Sequence, residues 1–124
     1  MRFAKWVFTI AGIYGVLVTL PLYFLETYLG QTMPPALNHL EYYYGFIGVT
    51  LAWQFAFLII GRDPQRFRIF MPVAMFEKFS FFISTLTLFL SGRAPQQIML
   101  TASIDCVLGV LFVISFYLTR KSSS

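Results

Sequence analysis

Charge is what this sequence has least of. Only 11% of its 124 residues are Asp, Glu, Lys or Arg, against 58% hydrophobic. Soluble domains run at about 25% charged and about 45–50% apolar. With a mean hydropathy of +0.73, too few polar side chains remain to coat a water-facing surface. An ordinary cytosolic domain, a disordered segment and a nucleic-acid module are excluded. Cysteine is almost absent too: Cys106 stands alone, which rules out an internal disulfide framework and a cysteine-rich metal site. It reads as a small packing residue. A lone histidine, His39, cannot supply a bis-histidine haem. No Gly-rich phosphate loop, Ser/His/Asp set or paired metal ligands are found, so no cofactor and no metal are expected.

Long apolar runs are what the sequence does have. A spanning helix needs about 20 mostly apolar residues to cross a hydrocarbon core of ~30 Å. Four windows qualify: Ala4–Leu25, Tyr42–Gly61, Ile69–Ser91 and Ile98–Thr119. The breaks hold Pro34-Pro35, then the run from Arg62 to Arg68, then Gly92-Arg93-Ala94-Pro95. Open strands would leave backbone groups unpaired in lipid, so these windows are helices. The expected fold is all-α: an integral-membrane four-helix bundle forming one transmembrane domain over residues 1–124. The first window exceeds the ~7–15 residues of a signal h-region and ends in Tyr23-Phe24-Leu25-Glu26, with no small-residue cleavage site. A retained helix is expected.

Basic residues set the orientation. Four crossings put both termini and the 62–68 loop on one side, with Arg2, Lys5, Arg62, Arg66, Arg68, Arg120 and Lys121. The other side has Arg93, with Glu26 and Glu41. The positive-inside bias then places both termini in the cytoplasm of a multi-pass membrane protein, which in a bacterium would mean the inner or plasma membrane. Trp6 and Tyr117 near one boundary, and Tyr23, Tyr28 and Tyr42–Tyr44 near the other, fit an interfacial belt.

Ionisable groups within a span are costly and face the interior or a cavity. Glu77, Lys78 and Asp105 qualify, with Gln54 as a neutral companion. At 1.5 Å per residue, Glu77 and Gln54 lie ~10–12 Å from the inner ends of their helices, and Asp105 ~10 Å from the outer end of its own. At 100° per residue, Glu77, Ser80, Ser84 and Thr87 share a stripe, opposite Phe79, Phe82 and Phe89, which suit lipid. Thr101, Asp105 and Gly109 form another stripe. Ala11, Gly15 and Thr19, and likewise Gly48 and Ala52, allow close helix approach. The interior is thus expected to be lined by Gln54, Glu77, Ser80, Ser84, Thr101 and Asp105. Lys78 points away from this stripe, so its stem is expected to snorkel toward the inner headgroups. An ion pair with Glu77 or Asp105 would need local helix rotation. Glu77 and Asp105 read either as a hydrogen-bonded interhelical clamp or as a functional pair, anchoring a ligand or handling protons as candidate catalytic groups. His39, Glu26 and Glu41 read as a solvated interfacial loop, and Trp53 as a core residue or cavity rim with a cation–π option.

The middle of the chain resembles a known group. Glu41 opens the second helix, Asp63-Pro64-Gln65-Arg66-Phe67 leads into the third, and Val107-Leu108-Gly109-Val110-Leu111 lies in the fourth. This pattern is similar to the EXPERA superfamily of emopamil-binding and sigma-2 receptor-like proteins, and equally to uncharacterised small bacterial four-helix membrane proteins. The first resemblance implies a four-helix bundle holding a flat, apolar, amine-bearing ligand, with Glu41 carried over and Thr101 or Asp105 near the polar position of helix 4. The family's isomerases use a histidine and a glutamate in helix 1, where this chain has Tyr14 and Thr19, and a loop histidine where it has Asp63.

Three functions compete. The first, and the expectation adopted, is binding without catalysis of a lipophilic, sterol- or lipid-like ligand by Glu41, Trp53, Gln54, Glu77, Ser80, Ser84, Thr101 and Asp105. The second is an isomerase-like acid/base enzyme acting on a lipid or isoprenoid through Glu77 and Asp105. The third is a small four-helix transporter, for which a helix 1 glutamate and an internal inverted repeat are missing. Membrane lipids and a lipophilic small molecule are the expected partners, a homodimer fits the same frame, and nucleic acid does not.

Overall fold

The computed structural model describes residues 2–32 and 38–120, and among these it is helical with no strand. Helix α1 (Arg2–Thr19) runs into a 3-10 turn, Leu20–Phe24. That tightening coincides with Pro21, which has no amide hydrogen to give an α-helix. The short α2 (Glu26–Thr32) follows, a helix in the break between the first two expected spans. Pro34-Pro35 and the Ser122–Ser124 tail lie outside the described residues. Helix α3 (Leu40–Arg62) leads through a 3-10 turn, Arg68–Phe70, into α4 (Met71–Leu90). Pro72 falls in the first turn of α4, where no amide donor is needed. Gly92, at φ 76°, ends α4: its N–H donates to Phe89 O and that of Arg93 to Leu88 O. This is the left-handed stop that favours glycine. Helix α5 (Gln96–Arg120) completes the chain.

Four stretches are long and apolar enough to cross a membrane: Arg2–Phe24, Leu40–Arg62, Arg68–Leu90 and Gln96–Thr119. They match the four windows to within a few residues. Only 17–28% of each span is buried within the protein. Large apolar side chains such as Leu17, Val49, Phe76 and Leu100 point outward, as lipid-facing side chains do. An exposed apolar surface on every span is the mark of an integral membrane protein.

Helix α1 lies along α3 and also meets α5, α4 lies along α5, and α3 and α4 scarcely touch. The half of the molecule nearest Arg2 is solidly packed. Phe8 of α1, Phe57 of α3 and Phe112 of α5 meet there, with Met71 and Ala74 of α4. Phe8 stacks on Phe112 with centroids 4.2 Å apart, and Phe57 meets Phe112 edge-on at 5.0 Å. Such pairs add about 0.5–1.5 kcal/mol each beyond their area. Close approach is concentrated on the α1/α3 seam. A methyl group on Gly12 would meet the Gln54 carbonyl oxygen at 2.8 Å, and one on Gly61 would meet Thr9 and the Lys5 carbonyl oxygen. The small stripe Ala11, Gly15 and Thr19 is buried as expected. Ala52 is exposed, so the second small-residue pattern is not a packed seam.

Helix α4 is turned relative to the sequence expectation. Its buried residues are Met71, Ala74, Lys78 and Thr85, a face about 100° from the Glu77/Ser80/Ser84 stripe. Thr87 is exposed and gives its hydroxyl to Ile83 O. Phe79, expected among lipid, instead lies against Gly109 of α5, where an added methyl would meet its ring at 2.8 Å.

Candidate functional site

The rotation of α4 carries Lys78 inside, which corrects the snorkelling expectation. The lysine is 2% exposed. Its Nζ donates to Asp105 Oδ1 at 3.3 Å and stands 3.8 Å from Glu77 Oε2. It also lies 5.2 Å from the Phe57 ring centroid, on the wall of the aromatic core. A charge taken from water costs several kcal/mol unless paired, and Asp105 is the partner that meets this cost. Among the described residues Lys78 is the one cation within reach of these two carboxyl groups. Glu77 Oε2 finds no hydrogen-bond donor among the described residues.

Gln54 completes the group from α3. It is buried, donates through Nε2 to Thr50 O at 2.8 Å, and its amide interacts with Glu77. Gln54 Oε1 has no hydrogen-bond partner among the described residues. Its carboxamide occupies the space a side chain at position 15 would need, so Gly15 makes room for it.

These groups open onto a cavity of about 480 Å³ on the side of the core away from Arg2. All four long helices line it: Tyr14, Val18 and Thr19 from α1, Phe46, Thr50 and Gln54 from α3, Glu77, Lys78, Ser80, Phe81 and Ser84 from α4, and Ile98, Thr101 and Asp105 from α5. That volume is in the range of small-molecule sites, ~300–1,000 Å³. The walls are mostly apolar, and the charged cluster stands at the end nearest the aromatic core. Ser80 and Ser84 line the cavity yet are exposed, so it is open on the flank where α3 and α4 separate. Phe46 and Phe81 stack across that gap with centroids 6.2 Å apart.

The far end is held by tyrosines. Tyr44 donates to Glu26 Oε1 at 2.7 Å and Tyr43 donates to the Leu22 carbonyl, while Tyr23 stacks on Tyr44. Leu22 also lines the cavity, so these bonds fasten the 20–26 segment to α3 beside it.

Of the residues singled out in the sequence, Gln54, Glu77, Ser80, Ser84, Thr101 and Asp105 come together here. Glu41 and Trp53 do not. Glu41 is exposed with His39, 3.5 Å from its Nδ1. Trp53 packs toward Phe57 on the core, with centroids 6.3 Å apart. Lys78 joins the cluster through the ion pair weighed as the alternative to snorkelling, whereas Tyr14, Thr19 and Thr50 were not among the expected lining residues. Lys78 had a signal in its position next to Glu77. Tyr14 and Thr50 had none that separates them from other lipid-span residues. No protein-family model, curated protein or solved structure matches the chain.

Proposed function

We propose that this protein is a four-helix membrane bundle with both termini in the cytoplasm, and that it binds a lipophilic, amine-bearing small molecule without transforming it. The supporting observation is the cavity walled by four helices, whose polar end holds two carboxylates and one lysine. Two carboxyl groups to one lysine in a low-dielectric site favour a further cation, because pairing a charge there returns more than it would in water. An ammonium group beside Glu77 would supply the hydrogen bond that Oε2 lacks, and the apolar walls would take a flat hydrocarbon body. The similarity to the EXPERA superfamily points the same way. The basic end of the molecule, with Arg2, Lys5, Arg62, Arg66 and Arg68, supports the orientation through the positive-inside bias. The gap between α3 and α4 gives a ligand dissolved in the bilayer a lateral route.

Native mass spectrometry of the protein released from its own membrane tests this reading. The expected spectrum shows one small, basic, non-phospholipid molecule retained per chain, and lost from a Thr50→Phe variant that fills the cavity. A spectrum with no specific small molecule, or one unchanged in the folded variant, overturns it.

A further inference from the structure

A second concavity, unconnected with the charged cluster, lies on the outside of α3 toward the basic end. Trp53, Ala56, Ile59, Ile60, Phe67 and Phe70 line a wholly apolar groove of about 320 Å³. One end meets the arginine-rich loop. Arg62 lies one turn beyond Ile59 on α3, and the Arg66 guanidinium sits 5.3 Å from the centroid of the groove residue Phe67. Both arginines are exposed, and among the described residues neither forms an ion pair. Asp63, the one carboxylate in this loop, accepts the backbone N–H of Arg66. Arg68 is committed elsewhere: its Nε donates to Phe116 O and its guanidinium lies 3.7 Å from the Phe116 centroid, which pins the loop to α5. The other end of the groove is Trp53, nine residues before Arg62 and so ~14 Å along the helix.

We infer that this groove is a binding site for an anionic phospholipid, with an acyl chain along Trp53, Ala56 and Ile59 and the phosphate between Arg62 and Arg66. The shape decides the class. A soluble phosphate would use the arginines and leave the groove empty, and a neutral lipid would use the groove and leave two cations unpaired. An anionic lipid uses both, since Arg62 follows Ile59 by one turn and Arg66 lies against Phe67, at one end of a trough that runs along the helix for about the thickness of one bilayer leaflet. Basic residues near a membrane surface attract acidic headgroups. The site does not depend on what occupies the cavity between the four helices.

The test uses the full chain in neutral detergent micelles, titrated with phosphatidylglycerol, with phosphatidylcholine of the same acyl chains, and with glycerol 3-phosphate. Native mass spectrometry counts what is retained. The expected result is one phosphatidylglycerol held about tenfold or more tightly than phosphatidylcholine, with no competition from glycerol 3-phosphate. The double variant Arg62→Gln/Arg66→Gln should lose the preference, Ala56→Trp should lose the lipid by filling the groove, and Arg93→Gln at the opposite end should change nothing. If circular dichroism shows Ala56→Trp unfolded, Ala56→Leu is read in its place. Equal retention of the two lipids, competition by glycerol 3-phosphate, or a preference that survives the double arginine change overturns the inference.

Discussion

At the scale of single residues, the protein turns on Lys78. It is the one basic side chain in the middle of a span, and it is held by Asp105 and faced by Glu77. Replacing it with methionine keeps the stem and removes the charge, leaving two carboxylates together in a buried site. Lys78→Met should therefore cost about 3–5 kcal/mol of unfolding free energy in detergent. Glu77→Gln should cost under about 1 kcal/mol, because the hydrogen-bonded Lys78–Asp105 pair survives. Equal losses in the two variants would show that the lysine is not shared in this way. The interior role of Glu77 and Asp105 was legible from the sequence, since acids within spans seldom face lipid. The place of Lys78 was legible only as the alternative to snorkelling, an ion pair that needed helix rotation. Serines and threonines carry little information about which way a helix faces: Ser80, Thr87, Ser103 and Ser115 each give their hydroxyl to a backbone carbonyl of their own helix. A hydroxyl satisfied in this way needs no partner across an interface.

At the scale of helices, contact without a hydrophobic driving force depends on how closely backbones approach. Gly61 faces the backbone of Thr9 and Lys5, and backbone cannot rotate aside as a side chain can. Gly61→Ala should destabilise the α1/α3 pair by about 1–3 kcal/mol, read as a lower midpoint in thermal or detergent unfolding. Gly45→Ala, where an added methyl meets nothing within 4 Å, is the matched control and should be neutral. A loss as large at Gly45 would contradict this account of the seam. The four spans were legible because lipid forces unbroken apolar helices of a fixed length. Helix α2 was not, because seven residues with a glycine carry no periodicity to read. Part of what tethers it is the Tyr44–Glu26 bond, 18 residues apart in sequence. The shared cavity was legible only as a set of inward polar residues. Its aromatic and aliphatic walls, such as Phe46 and Ile98, look in sequence like any lipid-facing residue.

At the scale of the whole molecule, the two halves differ in kind. The basic half is filled by Phe8, Phe57 and Phe112, while the half toward the tyrosines is hollow. Under the proposed orientation the hollow half lies in the outer leaflet. Reporter fusions at the C-terminus test that frame: a cytoplasmic fluorescent protein should be bright, and a phosphatase active only outside should be silent. The reverse pattern would invert the molecule in the bilayer. The central claim, however, concerns the polar cluster: Glu77, Lys78 and Asp105 come together in the interior, two carboxyl groups to one lysine, facing the cavity. Its most direct test is a paired titration of the purified protein with a long-chain alkylamine and the alcohol of the same chain length. The account predicts about tenfold or greater preference for the amine in the wild type, abolished in Glu77→Gln. Equal affinity for amine and alcohol, or a preference unchanged by that substitution, would contradict it.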